Sequence, residues 1–404
     1  MPSPVDSVSC SGLSRRSFFR FAAGVSAVAS MPILTESSLA YAARPHFADP
    51  NKGIHIDANE NPLGPSEAAR QAIADIIPKG GRYEFTMESD LTETFAKIEG
   101  LNPESVAAFA GSSDPLHYTV LAFTDKNKPL VIADPGYEAP MWAANVSGAP
   151  IIKVPLADPT GAATHDIKKM ISAASTPGVI YICNPNNPTG TCTPRADIEW
   201  AVANQPKGSI LLIDEAYIHL CDEPHSLDFV KQGKDVIVLR TFSKLYGMAG
   251  IRMGFAVGRP DLIAKYQQFG QNSLPITALA AAKASLIDKD LVPTRRKIIG
   301  DIRAENLAWL KSQGYACTPS MSNCFMLDVK RPGKEVLAAM AAKDIYIGRI
   351  WPAWPTQVRI TVGTADEMAA FRTAFTQVMA SNTAGLVAPT RPGRLADRPF
   401  THLS

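Results

Sequence analysis

The chain has 404 residues, 46% hydrophobic and 19% charged, with 40 basic against 38 acidic side chains and a net charge of +2. That balance excludes a disordered or collagen-like chain, and without a long basic run it gives no electrostatic basis for binding nucleic acid. Single cores stop growing at roughly 250 to 300 residues, so the length implies two subdomains.

In chain order, the first forty residues stand apart. "SRRSFFR" (residues 14–20) sets a twin arginine before two phenylalanines, and "FAAGVSAVASMPIL" follows, an apolar stretch too short and too rich in Ala and Ser to be a stable membrane anchor. Ala40, Tyr41 and Ala42 then form an A-x-A site. The pattern resembles a twin-arginine export signal. It predicts a signal peptide over residues 1–42, the twin-arginine export machinery as a partner, and a periplasmic mature protein.

Beyond it, "NENPLGPS" is a turn rich in Pro and Gly, and the spacing of Ala69, Ala72, Ile73 and Ile76 predicts a helix from Ser66 to Ile77. "PLVIAD", "APIIKVP", "GVIYICN", "SILLID", "DVIVLRT" and "RMGFAVG" are the next strand candidates. Each is continuously apolar, the mark of strands buried on both faces of a mostly parallel sheet covered by helices. Long helices are predicted from Gln267 to Asp288 and from Leu291 to Gly314, and "CFMLDVK" and "QVRITVG" read as strands of a second, smaller layer. The five cysteines beyond Cys10 form no CxxC pair and have no His at ligand spacing, which argues against a zinc site and predicts no metal.

Ligands bind open parallel sheets outside the carboxyl ends of the strands, and four chemically suggestive segments fall there. In "AGSSDPLHY", residues Gly111 to Asp114 precede Pro115, a residue that favours the first helical position, so Ser113 and Asp114 would offer free N–H groups to a phosphate. A plain helix cap is the alternative. "CNPNNPTG" is a rigid turn able to hold the Asn187 amide toward a ligand. In "LLIDEAYIHL", Asp214 ends a buried strand, where an unpaired charge is costly. A protonated ring nitrogen or a structural arginine would satisfy it, and Tyr217 would offer a phenol to the same ligand. "TFSKLYGMAGIRMG" sets Lys244 among the phosphate-binding types Thr241, Ser243 and Arg252. A free lysine is less than ~0.1% neutral at pH 7, so nucleophilic use requires a depressed pKa or conversion to an imine by a bound aldehyde.

The ordered set "NENPLG", "GSSD", "PGY", "NPNNPTG", "DEAY", "SKLYGMAGIRMG" and "VRITVGT" resembles the fold-type-I pyridoxal-phosphate aminotransferases, closest to the histidinol-phosphate aminotransferase-like group, from about Ile54 to Met379. The resemblance implies an α/β chain of the PLP-dependent transferase fold type I: a large domain with a mostly parallel sheet plus a smaller α+β domain. Residues 43–80 would be the N-terminal segment of the small domain, 81–288 the large cofactor-binding domain, 289–384 the C-terminal small domain and 385–404 a flexible tail. The cofactor it implies is pyridoxal 5'-phosphate.

Carried over residue by residue, the resemblance makes Lys244 the covalent attachment point and proton shuttle. Asp214 becomes the partner of the pyridine nitrogen, Asn187 and Tyr217 those of the ring's phenolic oxygen, and Tyr137 the stacking ring. Ser113, Asp114, Thr241, Ser243 and Arg252 would hold the phosphate. Tyr83 would reach the phosphate of a neighbouring subunit, which implies a homodimer with shared sites. Arg359 would grip the substrate α-carboxylate and Asn59 belongs to the segment that folds over the substrate, while Arg349 could hold a second substrate anion. The chain departs from its relatives at Pro115, at Glu84 and in "GRIWPAWPTQ", and those departures, with an export signal, point away from histidinol phosphate. The expected activity is transamination outside the cytoplasm between an amino acid, or an amino-acid-bearing secondary metabolite such as a peptide siderophore, and a 2-oxo acid. The alternatives are an oxidase or lyase of the same fold, or a catalytically silent regulator.

Overall fold

A computed structural model describes residues 33–44, 52–270 and 273–381, with Gln267 described in its backbone alone. The predicted twin arginine and the predicted tail lie outside these residues. The chain divides after Ile33, and the architecture below is that of the unit beginning at Leu34.

The first described element is a helix over Glu36–Ala43, capped by Thr35. Strand β1 (Ile54–Ile56) follows, then helices over Glu67–Ile76 and Thr86–Glu99. Seven strands then build the main sheet: β2 (Val106–Phe109), β3 (Leu130–Asp134), β4 (Ile151–Pro155), β5 (Val179–Cys183), β6 (Ile210–Asp214), β7 (Val236–Thr241) and β8 (Gly254–Gly258). Their spatial order is β2-β8-β7-β6-β5-β3-β4. Every residue of β5 through β8 is buried, which is why those segments read as unbroken apolar runs. The last strands are β9 (Cys324–Asp328), β10 (Ile345–Ile347) and β11 (Gln357–Thr361). As expected, "CFMLDVK" and "QVRITVG" pair away from the main sheet, as antiparallel β9 and β11, with Arg359 opposite Met326. β1 pairs in parallel with β10.

Strand direction brings the site together. β3 through β7 are mutually parallel, so Asp134, Cys183, Asp214 and Thr241 all end at one edge. β8 runs antiparallel to β7, and β2 antiparallel to β8. Two reversals restore the direction, so the loop after β2, carrying Gly111 to Ser113, opens at that same edge.

Three expectations need correction. The helix expected over Gln267 to Asp288 is a 3-10 turn over Ala264–Phe269 followed by a helix over Ile276–Ile287. Gly270 sits at φ +74°, and Pro275 disfavours helical backbone at the residue before it, so one helix cannot run through. Pro115 is the third residue of its helix, not the first, because the helix starts at Ser113. The missing Pro N–H costs nothing there, since first-turn N–H groups have no intrahelical acceptor. The helix from Leu291 ends at Ser312, and Gly314 at φ +79° closes it.

No described helix is long and apolar enough to cross a membrane. Among the described residues no three His, Cys, Asp or Glu side chains gather as metal ligands.

Candidate active site

Loops from the carboxyl edge enclose a cavity of about 300 Å³, lined by Ser113, Tyr137, Asn187, Asp214, Tyr217, Thr241, Ser243, Lys244 and Arg252, among others. Nine of the residues singled out from the sequence therefore meet around one space.

Asp214 ends β6 and is 3% exposed. The Tyr181 hydroxyl donates to its Oδ2 at 2.9 Å and the Ala216 N–H to its Oδ1 at 3.1 Å. Among the described residues no arginine or lysine forms an ion pair with it, so the arginine alternative is not realised. Burial pushes its carboxyl up to about 6 even though both hydrogen bonds and the Lys244 charge pull the other way. A buried carboxylate held so high is short of a cation.

Lys244 follows β7, and its Nζ donates to the Ala58 carbonyl at 3.4 Å while lying 5.5 Å from the Tyr217 ring centroid. Burial drives its pKa below the ordinary lysine value; the Glu36 carboxylate opposes this and Arg359 reinforces it. An amine so placed is closer to its neutral, nucleophilic form than a surface lysine.

The anion cradle is built from both sides of the β2 and β7 ends. Helix Ser113–Phe123 presents its first N–H groups, and Ser112 makes no side-chain cap that would occupy them. Facing it, the Arg252 guanidinium donates to Ala110 O and Ala249 O at 3.0 Å each and reaches Ser243 Oγ at 3.5 Å. Thr241 Oγ1 donates to Ser243 Oγ at 2.9 Å. Gly111, at φ +95°, lies where a Cβ would strike the Arg252 guanidinium, so glycine is what lets loop and arginine approach. Asp114 stands at the same helix start, its carboxyl raised by burial and lowered by Arg252.

Three lining residues, Glu36, Asn187 and Tyr217, are tied into a polar network whose other members, Arg349, Arg359 and Asn59, do not themselves line the cavity. Arg359 is 0% exposed; Nη1 donates to Asn187 Oδ1 at 2.8 Å, and Nη2 to Asp57 O and Glu36 Oε1 at 2.6 Å each. Arg349 Nη1 donates to both Glu138 carboxylate oxygens at 3.1 Å, and its Nη2 to Glu36 Oε2 at 3.2 Å. Both guanidinium groups lie over the Trp351 ring, at 4.7 and 5.5 Å from its centroid. Asn59, held at φ +52°, donates from Nδ2 to the Tyr217 hydroxyl at 3.0 Å and accepts from Thr361 Oγ1 at 3.0 Å.

Tyr83 is not brought to the cavity. It is 72% exposed and stacks on Phe85, itself 85% exposed. Sequence reasoning missed Tyr181, Glu138, Trp351 and Glu36. A tyrosine inside the aliphatic run "GVIYIC" and a glutamate directly after Tyr137 were visible signals for the first two.

The chain matches the family model "Aminotransferase class I and II" over residues 51–375. It is 31% identical over 342 residues to a histidinol-phosphate aminotransferase of Moorella thermoacetica, covering 81% of this chain and 86% of that one. It is 32% identical over 325 residues to an aromatic amino acid aminotransferase of Mycobacteroides abscessus, covering 79% and 91%. A solved structure of a Sinorhizobium meliloti histidinol-phosphate aminotransferase in complex with pyridoxal-5'-phosphate superposes with a TM-score of 0.75 at 24% identity, over 92% of this chain and 99% of that one. The match over most of the chain, with an amine, a buried carboxylate and an anion cradle around one cavity, settles the family: this chain belongs to the class I and II aminotransferases.

Proposed function

We propose that this aminotransferase moves an amino group between an amino acid, or an amino-acid-bearing secondary metabolite such as a peptide siderophore, and a 2-oxo acid, outside the cytoplasm. The observation that carries the transaminase reading is the convergence of Lys244, Asp214 and the Ser113/Ser243/Arg252 cradle on a single cavity. The export reading rests on the twin arginine and the A-x-A site of the sequence.

The cofactor is pyridoxal 5'-phosphate, and the side chains fit it. The cation-starved carboxyl of Asp214 suits a protonated ring nitrogen, and the cradle suits a phosphate dianion. The buried amine of Lys244 suits an aldehyde. When bound, the cofactor supplies an electron sink for charge developing at the substrate α-carbon. Asp214 would keep the proton on the ring nitrogen, since opposite charges about 4 Å apart at an effective dielectric of 20 attract by about 4 kcal/mol. Lys244 would take the proton from the substrate α-carbon. Asn187 and Tyr217 would hold the phenolic oxygen, with the Tyr217 hydroxyl steered by Asn59, and Tyr137 would stack on the ring. Arg359 receives the α-carboxylate in a bidentate pair. Tyr83 acts across a homodimer, for which its exposed ring and that of Phe85 provide the surface.

The test is a screen of amino donors and 2-oxo acceptors by mass spectrometry, with wild type and Lys244→Ala. Donor alone should release one equivalent of 2-oxo product per site, with further turnover requiring an acceptor, and Lys244→Ala should lose both. Oxygen consumption without an acceptor would replace transamination by oxidation, and release of ammonia or carbon dioxide would replace it by lyase chemistry.

A further inference from the structure

The least expected feature of the site is what Arg359 holds. Glu36, on the helix that precedes the family match, puts one carboxylate among three donors: Arg359 Nη2 at 2.6 Å, Asn187 Nδ2 at 3.1 Å and Arg349 Nη2 at 3.2 Å. Its carboxyl is lowered to about 2, because Arg349, Arg359 and Lys244 together overcome burial, so it sits there as an anion. The other acceptors on Arg359, Asn187 Oδ1 and Asp57 O, are neutral.

We infer that residues 34–43 are a built-in competitor for the substrate: the Glu36 carboxylate occupies the arginine that would otherwise receive a substrate α-carboxylate, and the site opens when this segment leaves. The inference rests on the reading of Arg359 given above. Charge balance supports it. Arg349 and Arg359 face Glu36 and Glu138. Removing Glu36 leaves Arg349 paired with Glu138, whereas Arg359, fully buried, is left with neutral acceptors alone, and a buried unpaired cation demands an anionic guest.

The segment is also built to come away. It makes one helix of eight residues, too short to persist on its own, so docking is what orders it. Leu34 is its upper anchor, buried, with its N–H on His117 Nε2 at 3.3 Å. Ala40 is buried lower down. A further ion pair, Arg44 to Asp57 at 2.6 and 3.0 Å, lies beyond the helix. Hydrolysis of the Ala42–Ala43 peptide bond by a peptidase, water adding across the amide to leave a carboxylate and an amine, would detach Glu36 and leave the Arg44 tie on the body. The A-x-A site of Ala40 to Ala42 falls at that place, and Tyr41 within it is exposed. A chain that acquires its cofactor before export would then be silent until processed.

The test uses three cofactor-loaded proteins: the full chain, its Glu36→Gln variant, and a chain starting at Ala43. Calorimetry with 3-phenylpropionate, a carboxylate without an amine, reads the arginine directly. A segment docked about nine-tenths of the time costs the guest about tenfold in apparent affinity. Glu36→Gln and the shortened chain should therefore bind at least about tenfold tighter than the full chain, and KM for the amino donor should fall with them. Saturating probe should also accelerate hydrogen exchange of residues 34–43 in the full chain. Equal affinity in all three, with transamination intact, overturns the competitor and spares the assignment of Arg359. Weaker binding once Glu36 is gone overturns it too, by making Glu36 part of the receiving site. If none of the three binds the probe, both the competitor and the assignment fall.

Discussion

Asp214→Asn should separate the two roles that burial gives this residue. In the protein without cofactor, burial raises the carboxyl from 3.8 to about 6. At 1.36 kcal/mol per unit this is about 3 kcal/mol of destabilisation once the group ionises. The sign follows from proton counting. Below pH 4 the carboxyl is protonated in both states and costs nothing. Between pH 4 and 6 the folded state holds a proton that the unfolded state has lost, so stability falls as pH rises. Above about pH 6 the full cost is present. Asparagine carries no charge and keeps partners for Tyr181 and Ala216, so the cofactor-free variant should be more stable than wild type by about 1–3 kcal/mol at pH 8, with no advantage at pH 4. Denaturant unfolding of both apoproteins across that range measures it. With cofactor the order should invert, because the variant cannot hold a protonated ring nitrogen, and its affinity for pyridoxal phosphate should drop along with kcat. An apo variant less stable than wild type at pH 8, or a gap that does not change with pH, would refute the claim that Asp214 is kept short of a cation until the cofactor arrives.

Tyr181→Phe removes one of the two hydrogen bonds that hold the Asp214 carboxyl down. A bond to a charged group is worth about 1.5–3 kcal/mol, so pyridoxal phosphate affinity should weaken by about tenfold or more in equilibrium dialysis. Arg240→Ala strips Glu215, 1% exposed, of its partner at 2.8 Å. The cost in denaturant unfolding should be about 3–5 kcal/mol, the range for an orphaned buried charge. Tyr83→Ala, at an exposed ring, should change chain stability by less than about 0.5 kcal/mol. Mixed with Lys244→Ala under subunit exchange it should regain about a quarter of wild-type activity, since half the dimers are hybrids with one intact site each. No recovery on mixing would refute a tyrosine shared between subunits.

What was legible in the sequence follows from the range over which each feature is determined. Strands β5, β6 and β7 announce themselves because burial on both faces makes every residue apolar. Asp214 and Lys244 stand out because a charge at the end of such a run has no bland explanation. Direction leaves no such mark, so "RMGFAVG" reads like its neighbours although β8 runs against them, and only pairing reveals that this reversal returns Ser113 to the site. Strands β1 and β10, three residues each, are too short to carry a period. The helix expected from Gln267 failed on Pro275, whose effect on the preceding backbone outweighs the apolar spacing around it.

The polar wall shows the limit most clearly. Arg349 meets Glu138 across 211 positions, and Arg359 meets Glu36 across 323. No spacing rule spans such distances, because what closes them is the fold of the whole unit. The arginines could be read as anion receptors, since two guanidinium groups near a strand end have few other uses. Which anion they receive could not, because that depends on what folds back over them. Glu36, in a segment whose composition resembles the end of an export signal, is in the folded chain the carboxylate held by Arg359, so the proposed cleavage would have a chemical consequence.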